Sequence, residues 1–292
     1  MTQHILFFIH GIGEKYLEDD YRVLEKACAK AYCDTRKVSL DVFENQFKCV
    51  YINWQKVTAD AQLTLFHQAF PQLEVRDKQF LPWDLTSPIV AARKFMTFFL
   101  GDVAAYVSEN DNNIRRTVWE QMEPHISQGV PYSIISHSLG SVIVFDYLFN
   151  LFEENTLFLP ESKDAEPFPT PAISQLQLNF RHLFTLGSPI GLFMLRKGDL
   201  WKGGREFETI KNPVKNDTQR SIQRTWLNFY DDQDIIAYPL EKLFSLNPNR
   251  DKGSIKDVLV NTGWLVVDSH LRYWQNQQVA TEISQVLLRM GV

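Results

Sequence analysis

Apolar residues in this chain fall into short unbroken runs, separated by longer stretches in which they recur every three or four positions. The runs are candidate strands: His4 to His10, Lys48 to Trp54, Tyr132 to Ser136, His182 to Leu186, Thr225 to Tyr230 and Asp257 to Asn261. Runs with so little alternation suit strands buried on both faces, as in a parallel sheet covered by helices. Helical spacing is clearest at Leu17, Tyr21, Leu24, Cys28 and Ala31, and again at Val279, Ile283, Val286, Leu287 and Met290; each set shares one helix face. Leu139 to Phe152 is apolar nearly all round, which predicts a helix enclosed on every side. The expected class is α/β.

Three segments break the alternation. Residues 55–130 make a long, mainly helical excursion carrying Phe66, Phe70, Trp83, Phe95, Phe98 and Phe99, which suits either extra core or a cap over a site. Glu154 to Pro171 is acidic and proline-rich and predicts an irregular surface loop. Arg196 to Arg224 is polar, contains Gly203-Gly204, and predicts a second rim. None of these resembles an interdomain linker, and no internal repeat appears, so residues 1–292 are expected to form one domain.

Composition narrows the function classes. A net charge of -5 over 292 residues leaves no electrostatic footprint for nucleic acid. The opening MTQHILFFIHG lacks a basic leader, and its apolar run from Ile5 to Ile9 is too short for a signal segment or a membrane span. Three cysteines without zinc-like spacing point to reduced thiols and a cytoplasmic setting. The seven histidines are scattered, and no metal motif is visible.

Chemistry enters at Ser136-His137-Ser138-Leu139-Gly140, where an apolar strand stops at a serine between small residues and an apolar helix follows. Small-x-Ser-x-Gly in a strand–turn–helix setting is the pattern of a nucleophile elbow, whose tight turn projects the serine hydroxyl beyond the sheet. Small flanks are needed because the strand and helix backbones nearly touch there. Gly140 meets that need, and Ser136 replaces the more usual glycine. Further short motifs are Phe8-Ile9-His10-Gly11-Ile12-Gly13 at the first strand, Thr185-Leu186-Gly187-Ser188-Pro189 and Asp231-Asp232-Gln233-Asp234-Ile235-Ile236 after later strands, and Ser269-His270-Leu271-Arg272-Tyr273-Trp274 before the final helix.

On these residues and their order the chain resembles lipases and esterases of the α/β-hydrolase superfamily, closest in character to intracellular lipase-like branches. The resemblance implies an α/β-hydrolase fold: a mostly parallel sheet flanked by helices, with a helical insertion before the nucleophile strand. It also implies the chain order serine, acid, histidine. Ser138 is then the nucleophile, His270 the general base and Asp234 the residue that orients it; Asp231 and Asp232 stand as rivals for the acid. His125, His137 and His182 are rivals for the base. His137 lies inside the elbow and cannot easily fold back on its neighbour's hydroxyl, while lipases often carry a histidine there without a proton-transfer role. The backbone N–H groups of Ile12 and Leu139 are the implied oxyanion donors. Ser188 either lines the site or simply builds a turn.

The expected activity is hydrolysis of a carboxylic ester, of a lipid or another substrate with an apolar acyl group, through an acyl-enzyme on Ser138 and without metal or organic cofactor. The same residues suit thioester or amide hydrolysis. The alternative outside enzymology is a catalytically silent member of the fold that binds a ligand or partner. Substrate identity, oligomeric state and contact with a membrane surface are left open.

Overall fold

The computed structural model describes residues 3–11, 17–69, 88–107, 111–126, 129–154, 173–194, 212–244, 255–263 and 266–290. In chain order the first elements are β1 (His4–Ile9), α1 (Leu17–Arg36), α2 (Leu40–Gln46), β2 (Phe47–Ile52), α3 (Ala59–Ala69), α4 (Pro88–Val107) and α5 (Asp111–Ile126). There follow β3 (Tyr132–His137), α6 (Leu139–Phe149), α7 (Ile173–Asn179), β4 (Phe180–Leu186), α8 (Ile190–Phe193) and β5 (Thr225–Tyr230). The last are α9 (Glu241–Phe244), β6 (Ile255–Leu259), α10 (Val266–Leu271) and α11 (Gln277–Leu288).

The strands form one six-stranded sheet in the order β2-β1-β3-β4-β5-β6, and every neighbouring pair is parallel. Alternate residues of a central strand feed two separate apolar layers. Ile5, Phe7 and Ile9 of β1 pack with Trp119, Met122 and Ile126 of α5 and with α6. Leu6 and Phe8 pack on the opposite face with Tyr21, Leu24 and Cys28 of α1 and Val279, Ile283 and Leu287 of α11. Burial on both faces explains why the strands carry unbroken apolar runs. Every residue of α6 from Leu139 to Leu148 is buried, as its all-round apolar sequence requires, and a π-helical turn at Asn150–Glu154 ends it.

Strand limits differ from the sequence expectation by up to two residues. β2 stops at Ile52 because Trp54 turns away to donate its indole N–H to the His10 carbonyl (2.9 Å) and stack on the His10 ring. β4 starts at Phe180, whose ring is fully buried, and β6 runs Ile255–Leu259 rather than Asp257 to Asn261. At one edge of the sheet, β6 buries only Ile255 and Val258, in opposite apolar layers, and leaves Lys256 and Leu259 to solvent, which obscures it in sequence.

Within 55–130, α5 is sheet-covering core, and Phe98 and Phe99 of α4 are buried. The buried Arg115 guanidinium of α5 reaches Asp146 Oδ2 of α6 at 3.2 Å, and Tyr106 of α4 donates to the same oxygen at 2.7 Å. Phe70 and Trp83, the side chains of Phe66 and Phe95, and most of 154–171 and 196–224 lie outside the described residues. Among the described residues no helix is long and apolar enough to cross a membrane.

The chain leaves β1 for β2 on one side, then returns past β1 to β3 on the other. The β1–β3 gap is therefore the switch point of the sheet, where crevices open beyond the carboxyl ends of strands. Gly11 follows β1 and Ser138 follows β3, so both stand at that gap.

Candidate functional site

Ser138 occupies the single residue between β3 and α6, with φ 51° and ψ -129°. A non-glycine residue there is strained, and the surroundings hold it in place. Its N–H donates to the Leu186 carbonyl of β4 (2.9 Å), while its carbonyl accepts from the N–H (3.0 Å) and hydroxyl (2.5 Å) of Ser141. The small flanks have a measurable cause. A Cβ on Gly140 would sit 2.2 Å from the His10 carbonyl oxygen, and one on Gly11 would sit 2.3 Å from Cβ of Ser138. The ends of β1 and β3 touch, and only glycine fits there. Ser136 is fully buried, so a serine side chain is accommodated at the other flank.

The structure brings three residues far apart in sequence into one chain of contacts. His270 Nε2 lies 2.7 Å from Ser138 Oγ, and His270 Nδ1 lies 2.9 Å from Asp234 Oδ2. Asp234 leaves β5 in a turn, and its other oxygen accepts the Ile236 N–H at 3.0 Å. The Tyr273 hydroxyl donates to Asp234 Oδ2 at 3.0 Å. Burial pushes the Asp234 carboxyl up, but the His270 ring and these hydrogen bonds outweigh it and bring the pKa below the ordinary carboxylate value. The carboxylate is therefore ionised at neutral pH. All three side chains are almost completely buried.

The rival residues have other partners. Asp231 is buried and structural: its Oδ2 accepts from the N–H (2.5 Å) and hydroxyl (2.8 Å) of Thr262, and its Oδ1 from the Gln233 N–H (2.8 Å). Asp232 is exposed. His125 sits on α5 beside Lys48 (3.4 Å). His182, inside β4 rather than at its start, accepts the Thr225 N–H at 3.2 Å. Ser188 is buried, its hydroxyl 2.7 Å from Ser141 Oγ and accepting the Ile190 N–H at 3.3 Å, so it braces the turn that carries Ser138. Leu139 opens α6, where helix N–H groups lack intrahelical partners. Ile12 lies outside the described residues.

Two further residues at the site hold positioning contacts that their places in the sequence did not reveal. Tyr273 is one, three positions beyond His270. His137 is the other: its Nε2–H donates to the backbone carbonyl of His270 at 2.6 Å, and the two rings lie 4.8 Å apart. Burial, and then the neighbouring His270, push the pKa of His137 down to about 3, so it stays neutral beside the ring it holds. His10 is likewise held at about 3 by burial, stacked flat on Trp54 at 5.3 Å. No local motif announces such contacts, because each depends on how distant segments pack. The arrangement as a whole pairs a hydroxyl with a buried imidazole and an ionised carboxylate.

No family model matches the chain. The chain is 23% identical over 279 residues to phospholipase DDHD1 of Mus musculus, a match covering 83% of this chain and 49% of that protein. The chain thus spans about half the length of the curated relative it matches.

Proposed function

We propose that this protein is a serine hydrolase of the α/β-hydrolase fold that cleaves a carboxylic ester of a lipid through an acyl-enzyme on Ser138. One observation carries the reading: a strained serine at the switch point of a parallel sheet stands 2.7 Å from an imidazole whose other nitrogen is 2.9 Å from an ionised carboxylate. In this mechanism His270 takes the Ser138 proton as the oxygen attacks the ester carbonyl, then delivers it to the leaving alcohol. Asp234 holds the ring in the Nδ1–H tautomer and stabilises the imidazolium without taking the proton. Water repeats the sequence on the acyl-enzyme.

The developing oxyanion is assigned to the Leu139 N–H, whose place at the start of α6 also favours negative charge, and to the Ile12 N–H. Gly11 lets the backbone before Ile12 approach the serine closely. The printed function of the mouse relative, a phospholipase, supports a lipid ester as the substrate class. The aromatic stretch at 55–130 supports an apolar acyl group, and the chain is read as a single domain. A cytoplasmic setting belongs to the same reading, supported by Cys28, Cys33 and Cys49 standing as free thiols.

The test is covalent. A fluorophosphonate probe is expected to label the purified protein at Ser138, and Ser138→Ala to lose both labelling and hydrolysis of phospholipid vesicles. Labelling that survives the substitution, or a wild-type protein inert to the probe and to every phospholipid, aryl ester and thioester offered, would overturn the assignment.

A further inference from the structure

Asp234 Oδ2 accepts two hydrogen bonds, and only one comes from the imidazole. The second donor, the Tyr273 hydroxyl, lies 3.0 Å away and itself accepts the Asp231 N–H at 2.9 Å. Tyr273 is fully buried, and its phenol is pushed well above its ordinary value first by burial and then by Asp234 and its hydrogen bond, so the hydroxyl keeps its proton and remains a donor. It sits on the turn of 3₁₀-helix Arg272–Gln275 that directly follows α10, so His270 and Tyr273 approach the same carboxylate from one short stretch of chain.

That stretch is held at several points. The Thr262 hydroxyl lies 2.8 Å from Asp231 Oδ2 and 2.6 Å from the Ser269 carbonyl, and donates to one at a time. His137 holds the next carbonyl, that of His270. With the backbone fixed this way, the phenol hydroxyl is not needed to keep His270 near Asp234. Besides accepting the Asp231 N–H, it acts electrostatically: a donor on Oδ2 competes with His270 Nδ1–H for the same oxygen and draws charge from it.

We infer that Tyr273 is a positioning residue whose hydroxyl, by sharing Asp234 Oδ2 with His270, sets the basicity of His270. The inference rests on the serine-hydrolase reading above. With the hydroxyl present, Oδ2 supports the imidazolium less than an unshared carboxylate would. Removing the hydroxyl leaves the whole acceptor to His270, stabilises its protonated form and raises the pH at which the base becomes available. Other titratable groups around the pair are neutral His137 at the end of β3, His10 beyond β1, carboxylate Asp231 after β5, exposed Arg272 next in the chain, and Asp20 of α1, bonded to Gln275 and raised by burial to about 6. Tyr273→Phe keeps all of these side chains but removes the acceptor of the Asp231 N–H together with the donor to Asp234.

The experiment measures kcat/KM against pH for wild type, Tyr273→Phe and a protein carrying 3-fluorotyrosine at position 273 alone, on a soluble aryl ester whose cleavage depends on Ser138. Tyr273→Phe keeps the buried ring, and its acidic limb is expected to move up by about half to one pH unit, with KM little changed. The fluorinated phenol is a stronger donor in the same space, so its limb is expected to move down. A purely structural tyrosine would lower melting temperature or plateau activity and leave both limbs in place. That result overturns the inference, as does a shift of the same sign in both proteins. Should Tyr273→Phe fail to fold, the fluorotyrosine protein decides alone. Failure of the hydrolase reading looks different, since hydrolysis would then survive Ser138→Ala in every protein tested.

Discussion

Three aspartates within four positions are equivalent in sequence, and the structure separates them by what each oxygen touches. Asp234 spends both oxygens on His270, Tyr273 and the Ile236 N–H, while Asp231 spends its oxygens on the Thr262 and Gln233 backbone and the Thr262 hydroxyl. Asp234→Asn is isosteric but offers an amide where His270 needs an anion, so the ring loses its tautomer and the charge that supports the imidazolium. A drop in kcat of about 10⁴ with little change in stability is expected. Asp231→Asn acts on the loop instead, weakening a charged acceptor under the Thr262 N–H, and is expected to cost about 1–3 kcal/mol of stability with the smaller loss of turnover. Steady-state kinetics and urea melts on the two variants check the ranking; the opposite order would move the acid to Asp231. Only the resemblance to lipases and esterases pointed to Asp234; the residues themselves left Asp231 and Asp232 as rivals. Tyr273 lies in the motif Ser269 to Trp274 without a role there, because a phenol three residues past a histidine has no signature until its turn brings the hydroxyl to Asp234 and the Asp231 N–H.

Elements were legible where a local pattern and burial agree. Thr225–Tyr230 is a strand to the residue because five neighbours on β4 and five on β6 enclose a run of apolar residues broken only by Asn228, whose amide is paired with Thr185, Tyr238 and Asp257. The limits failed where a side chain had somewhere better to go, as Trp54 does against His10, or where an edge strand carries polar residues, as β6 does. The final helix was legible by spacing, but its start is set by Asn276, whose Oδ1 accepts the N–H groups of Gln278 (2.9 Å) and Val279 (3.2 Å). These are two of the four N–H groups that a helix leaves unpartnered. The same helix packs along α1, where the Ser284 hydroxyl lies 2.8 Å from the Cys28 carbonyl and 2.7 Å from that of Ala280. Asn276→Ala is expected to cost about 1 kcal/mol. The urea midpoint should fall while the denaturant slope stays constant, because the same surface is exposed on unfolding. An unchanged midpoint would mean that α11 is held by its apolar face alone.

For the whole molecule, Gly11, Ser138, Gly187 and Asp234 all lie beyond the carboxyl ends of β1, β3, β4 and β5, and α10 brings His270 to the same end of the sheet. What sequence could not carry is the electrostatic cost of that packing. His4, His10, His137 and His182 are all held at about 3, chiefly by burial, against an ordinary value of 6.5. Each stays neutral in the fold and protonates near 6.5 when the chain unfolds. Its stabilising contribution is therefore present above pH 6.5 and lost as pH falls towards 3. Two carboxyls act the other way. Burial raises Asp102 to about 7, against the hydrogen bonds from Thr58 and Gln62, and raises partly exposed Asp20 to about 6. The native chain takes up those protons first, so acidification between pH 7 and 4 favours the fold through them. Among the described residues four imidazoles oppose one fully buried carboxyl and one half-screened carboxyl, so through these groups the unfolded chain binds roughly two more protons than the native one at pH 5. The corresponding slope is about 3 kcal/mol per pH unit, with stability falling on the acid side. The urea midpoint is expected to drop steeply between pH 7 and 5, and unfolding at pH 5 should take up about two protons by calorimetry in buffers of different ionisation enthalpy. A flat or rising midpoint would require the buried imidazoles to be charged in the fold, a state their apolar surroundings oppose.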